Sequence, residues 1–345
     1  MTVHAVTPHP ALDVTYSLAR PVVVHGVNRV AAVTSRPGGK GVNVARLVAA
    51  ADGDVAVYGF LGGRTGDQMR ADLERISPSI VQRWTSVDTE TRRTVAVVDG
   101  SDTTMFNEPG ANQPAEAWRR LAEELLSHAE PGDIVTISGS LPHPEEPDHL
   151  ATLVRELRER GAVVVVDTSG PALLAAADAG ADLVKPNRDE LVEALGCKDL
   201  DEGIAHLLAR GVGAVLTSLG AEGMRLKTPN IFCTARLSVP VAGNPTGAGD
   251  SVVAAIAVAL AATPSHSERS RVLAASLERA VACLPPPCSH RLLERSTTRS
   301  LSNFFPEYKS LRKACDACSI RKTSSGTTSP ITGTWSIQRD PLGKR

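Results

Sequence analysis

Short runs of β-branched and apolar residues alternate along the chain with longer stretches in which Leu and Ala recur every three or four positions. The short runs predict buried strands, and the longer stretches predict amphipathic helices that cover them. The predicted strands are Val55–Phe60, Ile134–Ile137, Ala162–Asp167, Leu183–Val184 and Ala214–Thr217. The predicted helices include Pro114–Ala129, Glu145–Arg160, Leu200–Arg210 and Val252–Ala262. This alternation predicts a doubly wound α/β fold with a mostly parallel sheet.

Two stretches interrupt this rhythm, residues 13–36 and 89–107. The first contains the β-prone runs Val22–Val24 and Val30–Val33. In the second, Asp99 and Gly100 stand between β-prone flanks, a pattern that favours a tight hairpin. We expect both stretches to supply strands of a small lid that projects from the main sheet.

Composition places the chain among ordinary globular proteins. Its 345 residues are 42% hydrophobic and 22% charged, which excludes a wholly disordered or fibrous protein. The net charge of −1 gives no support for a nucleic-acid or membrane partner. The longest clean apolar run, Val252–Ala262, is too short to span a bilayer, and the first residues lack the pattern of a secretory signal. We therefore expect a cytoplasmic enzyme.

The character of the chain changes near its C-terminus. Residues 264–345 carry a formal charge of +8 against −9 for the preceding residues, and four of the six cysteines follow Ala280. We expect a folded domain over residues 1–282 and a basic tail over 283–345 that is disordered or foreign to the fold. Lys313–Lys322 resembles the opening of a fungal zinc cluster, but the four ligands that zinc requires lack a recognised spacing.

The motif Asn244–Ser251 runs directly into the apolar stretch Val252–Ala262. A helix N-terminus presents unpaired N–H groups, so the backbone at Gly247, Ala248 and Gly249 could bind an anion such as a transferring phosphoryl group. Asp250, one position later, could accept the proton of an attacking alcohol. The alternative is a glycine turn in which Asp250 and Ser251 only cap a helix.

A second glycine turn, Pro37–Ala45, enters another helix of small residues. Lys40 and Asn43 offer donors for hydroxyl or phosphate oxygens, although the turn could be merely structural. A third segment, Ala181–Leu191, places Asn187 and Glu190 one helical turn apart, where an amide and a carboxylate could hold hydrated Mg²⁺. On this segment alone, an N-terminal capping box is the favoured interpretation.

Further polar groups fall in the lid or at predicted strand ends, where ligands of open parallel sheets collect. They are Asp13, Arg92, Ser138–Pro142, Asp167–Gly170 and Ser218–Gly223.

Taken in order, these motifs resemble those of the PfkB/ribokinase family of carbohydrate kinases, and the similarity is closest to the branch of 1-phosphofructokinase and tagatose-6-phosphate kinase. The resemblance covers about the first 280 residues. The motifs that carry it are Pro10–Asp13, Gly38–Asn43, Gly59–Gly63, Thr91–Arg92, Asn107–Gly110, Ser138–Pro142, Lys185–Asn187, Ser218–Gly220 and Thr246–Ser251.

The resemblance implies an ATP-dependent, Mg²⁺-assisted transfer that converts fructose 1-phosphate to fructose 1,6-bisphosphate, with fructose 6-phosphate or tagatose 6-phosphate as alternative acceptors. It also implies a homodimer formed through the lid strands. The resemblance implies that Asp250 is the catalytic base and that Gly247, Ala248 and Gly249 form the anion hole. The implied substrate contacts are Asp13, Gly38, Gly39, Lys40, Asn43, Arg92 and Ser138. The implied nucleotide contacts are Lys185, Asn187, Ser218, Gly220 and Gly223, and the implied magnesium site is Asn187 with Glu190.

Two departures from the family pattern bear on function. His9 stands where the branch often has asparagine. The small-residue helix that packs beside the adenine pocket begins at Leu277–Ala282 but is broken by Pro285–Pro287. A protein that binds sugar phosphate with impaired turnover is therefore the alternative to an active kinase.

Overall fold

The computed structural model describes residues 1–100, 102–197, 199–235, 247–263, 272–273 and 337–338. Asn244–Thr246 and almost all of the predicted tail, including Lys313–Lys322 and Pro285–Pro287, lie outside the described residues. The predictions of a foreign tail, of a domain boundary after residue 282 and of an incomplete adenine wall therefore stay predictions.

Over these described residues, the large sheet has ten strands in the order β14-β13-β12-β11-β10-β9-β8-β1-β4-β5. Every pairing from β11 to β5 is parallel, and the edge from β11 to β14 is antiparallel. The strands are β1 Val3–Thr7, β4 Val55–Leu61, β5 Val81–Ser86, β8 Ile134–Ser138, β9 Val163–Asp167, β10 Leu183–Val184, β11 Val215–Ser218, β12 Met224–Lys227, β13 Phe232–Ala235 and β14 Ile337–Gln338.

Helices cover both faces of this sheet. They are α1 Lys40–Ala50, α2 Gly63–Ile76, α3 Ala115–His128, α4 Pro147–Glu159, α5 Gly170–Asp178, α6 Arg188–Leu195, α7 Leu200–Ala209 and α8 Ala248–Ala261. Along β9, Val163 and Val165 pack into the core beneath α1 and α8, whereas Val164 and Val166 pack into the core beneath α3 to α5 and α7. Burial on both sides explains why Val163–Val166 are all apolar, and the strand then ends at the polar Asp167. The predicted doubly wound fold is confirmed.

The lid is a second sheet, which in the described part of the chain has four strands in the order β3-β2-β6-β7. Its strands are β2 Ala11–Leu18, β3 Val30–Gly38, β6 Arg93–Val98 and β7 Thr103–Asn107. The hairpin predicted at Asp99 is confirmed, since β6 and β7 pair antiparallel and Gly100 takes a φ of +84°.

The prediction of a strand at Val22–Val24 is wrong. These residues lie in the connection between β2 and β3. The side chain of Asn28 accepts from the Val23 amide and donates to the Val23 carbonyl, both at 2.9 Å, while the Val22 amide donates to Asp99. These side-chain bonds occupy the backbone groups that a strand ladder would use.

Helix α8 confirms the buried helix predicted over Val252–Ala262, and it begins four residues earlier, at Ala248. None of the helices in the described part of the chain is both long and apolar enough to cross a membrane.

Candidate active site

The glycine turn before α8 brings Asp250 to the carboxyl edge of the sheet. Gly247 is the N-cap and takes a left-handed conformation, with φ of +85°, that a residue with a side chain rarely adopts. Asp250 stands third in the helix and is 5% exposed. Asn43 donates from Nδ2 to Asp250 Oδ2 at 2.8 Å. Because first-turn amides have no partner inside a helix, this carboxylate lies beside a set of backbone donors.

Burial raises the pKa of Asp250 to about 6. The hydrogen bond from Asn43 opposes this shift, the charge of Asp167 adds to it, and Lys40 and Lys185 oppose it. A carboxyl group whose pKa lies near 6 is ionised at neutral pH and is a stronger base than an ordinary aspartate. These are the properties of a general base that works near pH 7.

The second glycine turn joins β3 of the lid to α1. A Cβ atom on Gly38 would lie 2.1 Å from Oδ2 of Asp13, and Gly39 has a φ of +101°. Larger residues would therefore displace the Asp13 carboxylate or strain the turn. The tight approach brings Asp13 next to the start of α1, where Lys40 is the first helical residue.

Asp13 lies on β2 and accepts a hydrogen bond from Oγ1 of Thr94, its neighbour on β6, at 2.5 Å. Burial raises the pKa of Asp13, while Thr94 and the guanidinium groups of Arg36, Arg92 and Arg46 act in the opposite direction. Of these arginines, the sequence prediction named only Arg92 as a site residue.

Arg92 is the residue immediately before β6 of the lid. Its guanidinium donates to the carbonyl oxygens of Glu108 at 3.2 Å and His9 at 3.4 Å. Arg92, His9 and Gly110 line a cavity of about 20 Å³. Burial and the charge of Arg92 lower the pKa of His9 to about 4, so this imidazole is neutral at pH 7.

Lys40 and Lys185 converge on one buried carboxylate. Oδ1 of Asp167 lies 3.2 Å from Nζ of Lys185 and 3.4 Å from Nζ of Lys40. Asp167 ends β9 and pairs in register with Ser138, which ends β8. Oγ of Ser138 and Oδ2 of Asp167 are buried without a hydrogen-bond partner among the described residues.

Asp167, like Arg36 and Arg46 near Asp13, is not among the site residues predicted from the sequence. Its only signal there was its position in Asp167–Gly170, at the end of a predicted strand. The lysines that it contacts are 127 and 18 positions away in the chain, so the pattern of residues could not reveal the pairing.

Asn187 and Glu190 form a complete capping box at the start of α6. Oδ1 of Asn187 accepts from the Glu190 amide, and Oε2 of Glu190 accepts from the Asn187 amide, both at 2.8 Å. The local structural interpretation is therefore confirmed. Over the described residues, no group of three or more His, Cys, Asp or Glu side chains is arranged to hold a metal ion.

The residues predicted on the nucleotide side follow β10 and β11. Lys185 comes directly after β10 and is 4% exposed, and Ser218 ends β11, where it forms a bridge to Asn187. Gly220 is the first residue of a short 3₁₀ turn and Gly223 follows its last residue, with φ of +59° and +93°. These groups share one edge of the sheet with Asp250 and Asp167.

A fold of this kind, with a β-lid over the carboxyl ends of its strands, a buried carboxylate at a helix N-terminus and two lysines nearby, defines the class of ATP-dependent sugar kinases. The model of the pfkB family carbohydrate kinases matches residues 13–283. The chain belongs to this family.

Solved structures support the family and the fold. The tetrameric inhibited form of phosphofructokinase-2 from Escherichia coli is 28% identical, with a TM-score of 0.73 over 86% of this chain and 99% of that one. A possible 1-phosphofructokinase from Thermotoga maritima is 24% identical, with a TM-score of 0.69 over 86% and 97%. Ribokinase from the same organism is 20% identical, with a TM-score of 0.63 over 86% and 99%. The last two show the fold alone.

Proposed function

We propose that this carbohydrate kinase phosphorylates fructose 1-phosphate at its 6-hydroxyl, giving fructose 1,6-bisphosphate and ADP. The observation that carries the proposal is Asp250, buried beside the left-handed Gly247 turn and fixed by Asn43 at 2.8 Å. A base held next to backbone donors suits the transfer of a phosphoryl group to an alcohol. The choice of acceptor rests on the motif resemblance, and fructose 6-phosphate and tagatose 6-phosphate are the alternatives.

In the proposed reaction, Asp250 accepts the proton of the sugar hydroxyl as its oxygen attacks the γ-phosphorus of ATP. A new oxygen–phosphorus bond forms, the bond from the γ-phosphorus to the bridging oxygen breaks, and ADP leaves. The amides of Gly247, Ala248 and Gly249 stabilise the charge on the transferring group. Asn43 keeps the carboxylate of Asp250 oriented.

The remaining residues hold the two substrates. On the sugar side, Asp13, Asn43 and the backbone at Gly38 and Gly39 bind hydroxyl groups, and Lys40 and Arg92 bind the phosphate already present. Arginine suits this task because its planar fork pairs with phosphate oxygens. Ser138 offers a buried hydroxyl at the end of β8. The nucleotide side is formed by Lys185, Asn187, Ser218, Gly220 and Gly223.

The donor set at α6 fits hydrated magnesium. Mg²⁺ prefers oxygen ligands and keeps several waters, so the amide oxygen of Asn187 and the carboxylate of Glu190 are a sufficient protein contribution. Both capping bonds leave further lone pairs on these oxygens. When bound, the ion would neutralise charge on the nucleotide phosphates.

The decisive experiment measures ADP release with fructose 1-phosphate, fructose 6-phosphate and tagatose 6-phosphate. We expect the highest kcat/KM with fructose 1-phosphate, and Asp250→Ala should lower the rate about 10²–10⁴-fold. Asp148→Ala is the matched control, because Asp148 also lies in a first helical turn but is exposed on α4. Equal rates for wild type and Asp250→Ala would refute the proposed base. Binding of fructose 1-phosphate without ADP release would favour the alternative of impaired turnover.

We also propose that two copies of the chain associate through the lid. The register places Val14, Val95 and Phe106 on one face, together with Tyr16 and Val33, while Asp13 lies on the other. Phe106 is 60% exposed and Val33 is 61% exposed. Burying this apolar face against a second copy would remove it from water. Light scattering should find a dimer that Phe106→Asp converts to monomers, and a monomeric wild type would contradict the proposal.

A further inference from the structure

We propose that Asp167 is a positioning residue that holds Lys40 and Lys185 at a fixed spacing and thereby links the sugar half of the site to the nucleotide half. The inference rests on the proposed function, because the roles of the two lysines are assigned there. Asp167 itself has no assigned role in that function.

The geometry ties both lysines to a single atom. Oδ1 of Asp167 lies within 3.4 Å of both ammonium groups, although the lysines come from different elements. Lys40 begins α1 immediately after the glycine turn beside Asp13, and Lys185 follows β10, two residues before Asn187. A shift of this carboxylate would therefore move a cation on each side of the reaction.

The burial of the three groups is unequal in a way that fits this role. The side chains of Asp167 and Lys185 are 1% and 5% exposed, whereas Lys40 is 40% exposed. Burial alone would lower the pKa of Lys40, but Asp167, Glu190 and Asp250 more than offset it, and the pKa is raised. Lys40 thus stays charged while part of its side chain remains open to a ligand.

Lys185 and Asp167 also lie against the glycine turn of α8. A Cβ atom on Gly249 would stand 3.3 Å from Nζ of Lys185 and 3.9 Å from Oδ2 of Asp167. That second oxygen is buried without a hydrogen-bond partner in the described part of the chain. A buried carboxylate kept only for stability would have both oxygens satisfied, because an unpaired buried acceptor costs free energy. Its open oxygen, beside the proposed anion hole, points to a role in the site.

The test substitutes Asp167→Asn, which keeps the shape of the side chain and removes its charge. Calorimetry would measure the binding of ADP and of fructose 1-phosphate separately. We expect both Kd values to rise about 10-fold in a folded protein, since both lysines lose their anchor. If the two Kd values stay within about 2-fold of wild type, Asp167 does not position the lysines.

A double-mutant cycle separates positioning through a lysine from an independent effect. Lys185→Met should weaken ADP binding, and adding Asp167→Asn to it should weaken ADP binding no further. In the same double variant, binding of fructose 1-phosphate should still be weaker than in Lys185→Met alone, because Lys40 has lost its partner. If the double variant instead weakens ADP binding by the product of the two single effects, Asp167 does not act through Lys185 and the inference is overturned.

Two further measurements keep the test decisive. Asp167→Asn leaves the buried charge of Lys185 unpaired and could therefore fail to fold. In that case the double variant, which lacks that charge, is compared with Lys185→Met alone. The control is Asp133→Asn, another buried aspartate paired to a basic side chain, which should lower the unfolding temperature and leave both Kd values unchanged. An equal effect of Asp133→Asn on binding would show general loosening and refute positioning. A wild type that binds ADP but not fructose 1-phosphate would refute the proposed acceptor, while the ADP cycle still tests Asp167.

Discussion

Buried polar groups at the two ends of the central strands differ in whether they have hydrogen-bond partners. At the amino end, Asp133 accepts hydrogen bonds from the amides of Thr2 and Glu130 and from Nε2 of His4, while Nδ1 of His4 meets the hydroxyl of Tyr58. At the carboxyl end, buried oxygens of Ser138 and Asp167 have no partner among the described residues. Within the described ranges, the polar groups around Asp133 are thus paired inside the protein, whereas these two oxygens at the carboxyl end are not.

The difference shows where the fold accepts a loss of stability, because a buried polar group without a hydrogen-bond partner lowers the free energy of unfolding. Buried polar groups in native proteins are almost always hydrogen-bonded, and exceptions concentrate at functional sites. Parallel strands bring all their carboxyl ends to one edge, so the loops and helix N-termini that bind ligands gather there. The amino edge has no such role and can be optimised for stability. Two substitutions, one at each end, test this contrast.

The largest effect is expected from Asp250→Asn at the carboxyl end. It should lower the rate of ADP release about 10²–10⁴-fold, because an amide cannot accept the proton of the sugar hydroxyl. In wild type, kcat/KM should fall as the pH drops below about 6, where the carboxyl group becomes protonated. Steady-state assays between pH 5 and pH 8, pH values chosen to bracket that pKa, check both outcomes.

The same substitution should raise stability. Burial lifts the pKa of Asp250 from 3.8 to about 6, so between these values the folded chain binds more protons than the unfolded chain. The free energy of unfolding contributed by this group therefore falls as the pH rises through that window, by up to about 3 kcal/mol. Asp250→Asn removes that cost. Its Tm should exceed that of wild type above the folded pKa, and the gap should close as the pH falls toward the unfolded pKa.

Asp148→Asn is the control for both readouts, because its carboxylate is exposed and lies on α4. It should change neither activity nor the pH dependence of Tm. If Asp250→Asn is inactive but gains no stability at high pH, the two ends of the sheet do not differ in the way proposed.

The parts of the fold that local sequence pattern determines are predictable from the sequence. Strands β8 and β9 are rich in β-branched apolar residues and buried at every position because helices cover both faces, and glycine turns mark the starts of α1 and α8. Strand β1, which lies between β8 and β4 in the sheet, does not stand out in the sequence because Val3–Thr7 carries two polar residues, His4 and Thr7, both buried. The partners that satisfy His4 lie 54 and 129 residues away, so its burial is decided by tertiary structure.

The candidate site divides in the same way. Asp250, Lys40 and Lys185 stand in motifs that the sequence displays, and the structure brings them to one edge. Asp167 has no distinctive neighbours, and its importance arises only when two distant lysines meet at its carboxylate. The lid was predicted at the right places but with one strand too many, because the β-propensity of Val22–Val24 yields to hydrogen bonds from Asn28.

A smaller effect, of the opposite kind, is expected at the amino end. Asp133→Ala would leave the buried imidazole of His4 and the partly buried amides of Thr2 and Glu130 without their acceptor. Losing one such acceptor costs about 1–3 kcal/mol, which thermal or urea unfolding would measure directly. Since Asp133 precedes β8 and Ser138 ends it, five residues at about 3.3 Å each separate this aspartate from the site. The kcat/KM of the folded variant should therefore match wild type within about 2-fold, a change within 0.5 kcal/mol. A loss of activity as large as that of Asp250→Asn would show that the two ends are coupled, and the division between a stabilising end and a reactive end would not hold.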